Sequence, residues 1–211
     1  MIWAWVLAFL SLGVCLPLYL IYKSSLRLPL ACCFKSLGTV CPLLIALVAA
    51  LRLNPQFAFV AAALFLHAVA DYTLEFSLPV GCAFFMAGHL LYLLFFVRIV
   101  PVSLLHFGCL FVLLALTALA FWRWREAIGK RMPVFAFYAG ILCIMCACAL
   151  GCLSLYTVQG LLIGLGGAIF FLSDFMILRR ILFPSVRTLS WVIMITYYIA
   201  QLCFGFSCLY F

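Results

Sequence analysis

The residues that could do chemistry in this chain are few. Asp71 and Asp174 are its only aspartates, and each closes an apolar run. The first run is Ala63-Leu64-Phe65-Leu66-His67-Ala68-Val69-Ala70-Asp71. The second, 103 positions later (174 minus 71), is Gly166-Gly167-Ala168-Ile169-Phe170-Phe171-Leu172-Ser173-Asp174. An ionisable group inside a bilayer-spanning segment is costly and marks a candidate functional site. Lys35 lies inside another apolar run, and His89, Tyr92, Tyr138, Tyr197 and Gln201 lie in further ones. Intramembrane Asp and Lys suit two function classes. In a hydrolase they act as proton donor, base and charge partner; in a transporter or channel they are coupling or substrate sites. No nucleophilic serine machinery competes for the first role, since the chain has neither G-x-S-x-G nor H-E-x-x-H.

The elements that position these groups follow from composition. The chain has 211 residues, of which 71% are hydrophobic and 8% charged. Its mean hydropathy is +1.42. Such a sequence leaves no room for a soluble domain and reads as one polytopic membrane domain over residues 1–211, an all-α bundle in lipid. The net charge of +8 does not suggest nucleic acid, because the basic residues sit between the apolar runs. The twelve cysteines are spread through those runs and read as small apolar filler, with neither metal nor cofactor expected. The first apolar run is long enough to span and reads as a helix rather than a cleavable signal.

Eight spans are expected, at about residues 3–22, 30–51, 56–74, 79–97, 102–122, 133–153, 158–178 and 188–211, each near the twenty or so residues that cross the hydrocarbon. Arg123 to Arg131 reads as a solvated loop. One set of connections holds Lys23, Arg27, Arg123, Arg125, Lys130, Arg131, Arg179, Arg180 and Arg187, and the other holds Arg52 and Arg98. Nine against two places the first set in the cytoplasm and both termini outside. Both aspartates then lie in the inner half of the bilayer with Lys35, Tyr138 and Tyr197, in a slab roughly 15 Å thick at 1.5 Å per residue. His67, Asp71 and Glu75 stack at i, i+4, as do Tyr197 and Gln201. One polar cavity open to the cytoplasmic side is the simplest arrangement. The paired aspartate runs also suggest two parallel four-helix repeats.

Several short pieces in order resemble the YhhN family of membrane proteins, whose animal members are lysoplasmalogenases. They are Phe34-Lys35-Ser36-Leu37, Ala70-Asp71, Ala87-Gly88-His89-Leu90-Leu91-Tyr92, Pro133-Val134 with Tyr138, Gly167-Ala168 through Ser173-Asp174, and Thr196-Tyr197-Tyr198-Ile199-Ala200-Gln201. The chain departs from the family pattern at Ser36, where Pro is common, at Ala70, where Gly is common, and at His67, where a small polar residue is usual. The resemblance implies hydrolysis of the vinyl ether of a lysoplasmalogen to a fatty aldehyde and a glycerophospho-headgroup. Asp71 and Asp174 would be catalytic. Lys35, His89, Tyr92, Tyr138, Ser173, Tyr197, Tyr198 and Gln201 would bind the lysophospholipid, with the bilayer as the other partner.

Structural alternatives stand beside these roles. The aspartates could snorkel to the interface or pair with Arg179 and Arg180, and Lys35 could snorkel to headgroups. His89 could be a packed helix residue, the tyrosines belt aromatics, and His106 interfacial. Gly160-x-x-x-Gly164 with Gly166-Gly167 reads as a close helix–helix contact. A bacterial inner membrane suits so minimal a chain, with the endoplasmic reticulum as the alternative.

Overall fold

A computed structural model describes residues 1–184 and 187–211; the side chain of Arg187, one of the nine basic residues above, lies outside the described residues. Among the described residues eight helices are long and apolar enough to cross a membrane: α1 Ile2–Ser24, α2 Leu28–Arg52, α3 Pro55–Thr73, α4 Leu78–Ile99, α5 Leu104–Arg123, α6 Arg125–Leu155, α7 Val158–Leu182 and α8 Thr188–Ser207. The chain is a multi-pass membrane protein.

The starts of these helices follow local chemistry. Proline occupies the first turn of α2 and α4, and Pro133 opens the α-helical stretch Met132–Gly151 within α6; in a first turn its missing N–H costs nothing. Asn54 and Thr157 cap α3 and α7 by accepting the backbone N–H of Gln56 and Gly160. Ser103 and His106 form a reciprocal capping box on α5. His106 is thereby buried and packs on Gly151 rather than lying at the interface. The Arg123–Arg131 stretch also differs from expectation. It is helical over Arg125–Ile128 and makes a 3-10 turn over Gly129–Arg131, so α6 starts eight residues early (133 against 125). The two turns meet at Gly129, whose φ of 55° lets the chain change direction.

Pro42 sits inside α2 and cannot donate to the Gly38 carbonyl one turn back. That carbonyl instead accepts from Ser11 Oγ at 2.8 Å. Ser11 reaches it from the π-helical turn Leu10–Cys15 of α1, so the defect in one helix is repaired by the irregular turn of its neighbour.

Helix packing has an internal symmetry. In the first half α1 packs on α2, α2 on α3 and α3 on α4; in the second, α5 on α6, α6 on α7 and α7 on α8. The halves join chiefly where α2 meets α8 and where α6 meets α4, with lighter contacts of α8 on α1 and α3. Exchanging the halves maps each of the principal pairs onto another, the pattern of two parallel four-helix repeats. The α7 glycines allow the close approach their spacing suggested. A Cβ at Gly164 would lie 2.6 Å from Leu153, and one at Gly167 would lie 2.5 Å from Ala149, both on α6.

Candidate active site

Asp71 is wholly buried on α3 and is the end point of a directed hydrogen-bond network. Thr39 Oγ1 and Tyr197 Oη both donate to its Oδ2, at 2.5 and 2.8 Å. Its Oδ1 lies 3.3 Å from the Lys35 ammonium. Behind Tyr197, the Gln201 amide donates to Tyr197 Oη at 2.9 Å and contacts His67 Nδ1 at 2.7 Å. Tyr92 Oη donates to Gln201 Oε1 at 3.0 Å. Because the amide N–H must be the donor, His67 Nδ1 is the acceptor. Its Nε2 then carries the proton and points at the Phe85 carbonyl 3.3 Å away. The Thr39 and Tyr197 protons run to Asp71, while Gln201 divides its two amide protons between Tyr197 and His67. Tyr198 Oη donates to the Lys35 carbonyl at 2.9 Å and fixes α8 against α2.

Asp174 has a different setting. Tyr138 Oη donates to its Oδ2 at 2.6 Å, and His89 Nε2 lies 3.4 Å from the same hydroxyl. Since the Tyr138 proton goes to Asp174, His89 Nε2–H is the donor in the second contact. His89 Nδ1 is left buried and without a partner among the described residues. No cation lies within ion-pair distance of Asp174 among the described residues. The carboxyl and Tyr138 border a partly open cavity between α4, α5, α6 and α7, otherwise walled by apolar side chains such as Phe85, Phe121, Leu142, Phe175 and Leu178. This is the end of the bundle that carries the basic connections.

The expected single polar cavity is therefore divided. Asp174 and Tyr138 reach the cavity, while Asp71, Lys35, His89, Tyr92, Tyr197, Tyr198 and Gln201 do not line it. Polar groups on α2, α3, α4 and α8 turn toward one another instead of toward the cavity. Ser173 also stands apart, donating to the Ile193 carbonyl at 3.2 Å and tying α7 to α8. One residue along a helix turns a side chain by about 100°, so it cannot share the face of Asp174. The aspartates do not snorkel or pair with Arg179 or Arg180.

Three participants were missed. Thr39 follows Lys35 at i+4, the one signal that could have found it. Lys23 Nζ lies 2.6 Å from Glu75 Oε1, and Tyr19 Oη donates to the same oxygen at 3.1 Å. Burial pushes the Glu75 carboxyl up, the charges of Lys35 and Lys23 pull it down, and the balance lies below the ordinary glutamate value. All twelve cysteines are unpaired; Cys146 and Cys152 donate to the carbonyls of Gly167 and Cys148 within the core.

The two sites occupy matching places. Lys35 and Tyr138, the partners of the two aspartates, are separated by the same 103 positions as the aspartates themselves (138 minus 35, 174 minus 71). The profile of the YhhN family matches residues 30–208, and so takes in both sites. The chain belongs to the YhhN family. Lys23 and Tyr19 precede the part that this YhhN match covers. No curated sequence and no solved structure matches the chain.

Proposed function

We propose that this YhhN protein is a membrane hydrolase that cleaves the vinyl ether of a lysoplasmalogen, with Asp174 as the proton donor. The observation that carries the reading is one carboxyl, without a cation, on the wall of an otherwise apolar cavity. Its apolar walls suit a hydrocarbon chain, and the few polar groups on them are those that would orient a ligand. Apolar surroundings and a neutral partner suit a carboxyl that carries its proton.

The chemistry then runs in two balanced steps. Asp174 gives its proton to the β-carbon of the vinyl ether, and the π electrons form the new C–H bond. The result is an oxocarbenium ion beside the Asp174 carboxylate. Water adds to the cation and returns a proton to Asp174, giving a hemiacetal and the starting acid. The same carboxyl switches from acid to base as in glycoside hydrolysis. The hemiacetal collapses to the fatty aldehyde and the glycerol hydroxyl. Tyr138 holds Asp174 in place and stabilises its charged form. Asp71 keeps Lys35 in position to meet the substrate phosphate. The basic connections face the cytoplasm in this reading.

Purified protein in detergent, given choline or ethanolamine lysoplasmalogen in heavy water, should release aldehyde carrying one deuterium on the carbon next to the carbonyl once it is trapped by reduction. Aldehyde without carbon-bound deuterium would rule out protonation by an exchangeable acid. No aldehyde from folded protein would favour a transporter, which turns nothing over in detergent.

A further inference from the structure

The Lys35 ammonium is an unfinished site. Lys35 is 6% exposed, yet its Nζ makes no hydrogen bond among the described residues. Its nearest acceptor, Asp71 Oδ1, lies 3.3 Å away outside hydrogen-bond geometry, and that oxygen is itself unsatisfied. An ammonium has three N–H donors, and a buried one without acceptors is costly. Toward the basic end of the bundle lies a second, more accessible group. Glu75, on the segment between α3 and α4, joins Lys23 and Tyr19 through one oxygen, Oε1. Its other oxygen has no partner among the described residues. Lys23 Nζ also donates to Tyr19 Oη at 2.9 Å, closing a three-membered ring. The Lys23 and Glu75 side chains are 29% and 18% exposed, against 7% and 0% for Lys35 and Asp71. Lys23 and Lys35 both act electrostatically on Glu75, and the Arg180 guanidinium acts on Lys23. Cations from α1 and α2 thus act on one carboxylate on a short connecting segment.

We propose that Lys23, Tyr19 and Lys35 form a subsite for the phosphate of a single-chain phospholipid, which Glu75 fills as an internal anion until the phosphate displaces it. The inference rests on the lysophospholipid substrate proposed above and adds the residues that hold its headgroup. A phosphodiester bears one negative charge, as Glu75 does, so the exchange leaves the local charge unchanged. It also offers oxygens to the idle Lys35 donors, which Glu75 does not reach. Leu74, the neighbour of Glu75, lines the apolar cavity. A phosphate on this subsite therefore leaves its hydrocarbon chain beside the cavity that Asp174 borders.

The test measures binding to the full chain in detergent, without turnover. The probes are hexadecyl-glycerophosphocholine, a saturated ether that cannot be cleaved by alkene protonation, hexadecylglycerol, which lacks the phosphate, and inorganic phosphate. Lys23→Met should weaken the phospholipid about tenfold, the scale of one charge-assisted hydrogen bond, and leave hexadecylglycerol unchanged. Lys23→Arg should restore most of the loss. Glu75→Gln should tighten the phospholipid at least about threefold, because a competing internal anion lowers apparent affinity by the fraction of time it occupies the site. Inorganic phosphate should compete with the phospholipid, and more strongly in Glu75→Gln. Equal changes for both lipids would make the cluster structural and overturn the subsite. Weaker phospholipid binding in Glu75→Gln would overturn the displacement. Binding of inorganic phosphate without binding of the phospholipid would overturn the lipid as its source. Protein that binds the phospholipid with this charge dependence but releases no aldehyde would sink the hydrolase reading alone.

Discussion

Asp71 and Asp174 hold matching places in two halves that pack alike, yet their neighbours differ in kind. On α2 the partner of Asp71 is a lysine; at the matching position on α6 the partner of Asp174 is Tyr138. The lysine brings charge, and the surrounding hydroxyls and amide close over the pair until Asp71 is sealed. The tyrosine brings one neutral donor, and apolar walls leave Asp174 at the edge of open space. One backbone arrangement thus yields a buried charge pair in one half and an accessible acid in the other.

The sharpest way to break the comparison is Asp174→Asn. It should lower aldehyde release at least about a hundredfold, the weight of a lost general acid, with the melting temperature unchanged, since no buried cation loses its partner. Asp71→Asn should do the reverse first. Removing one member of a buried ion pair leaves the other uncompensated and costs about 3–5 kcal/mol, read as a fall in melting temperature. Lys35→Met combined with Asp71→Asn should recover most of that stability and not the affinity for phospholipid. A stable Asp71→Asn single variant would erase the distinction between the halves. A smaller effect belongs to Tyr138→Phe, which should cut turnover about tenfold, the loss of one hydrogen bond to a charged group, and leave substrate affinity unchanged.

The smallest effect lies at Glu75. Its carboxyl titrates below the ordinary glutamate value, so its contribution is complete above that value and is lost as pH falls through the lowered one. The wild type should therefore lose a little stability in that acidic range, and Glu75→Gln should flatten the loss. An unchanged pH profile in Glu75→Gln would mean that the Lys23 contact contributes nothing.

The eight spans were legible because lipid leaves few choices: long apolar runs must be helices. The Arg125–Arg131 helix was not, because its charges read as loop while the backbone still had to be satisfied near lipid. Lys35, both aspartates and the Tyr197–Gln201 pair stood out as polar groups in apolar runs. Thr39 and Ser11 did not, since single hydroxyls in such runs commonly bond their own helix.

The sequence by itself determined the helices, their alternating directions and the short set of groups able to carry charge or protons in lipid, because hydropathy and polarity are properties of a local stretch. Only the tertiary structure decided which of those groups meet. The side chains around Asp71 come from α2, α3, α4 and α8, and the cavity beside Asp174 is bounded by α4, α5, α6 and α7. Whether a carboxyl is sealed by a cation or left facing a cavity depends on how those helices pack and rotate against one another, and that is set by contacts far apart in the chain.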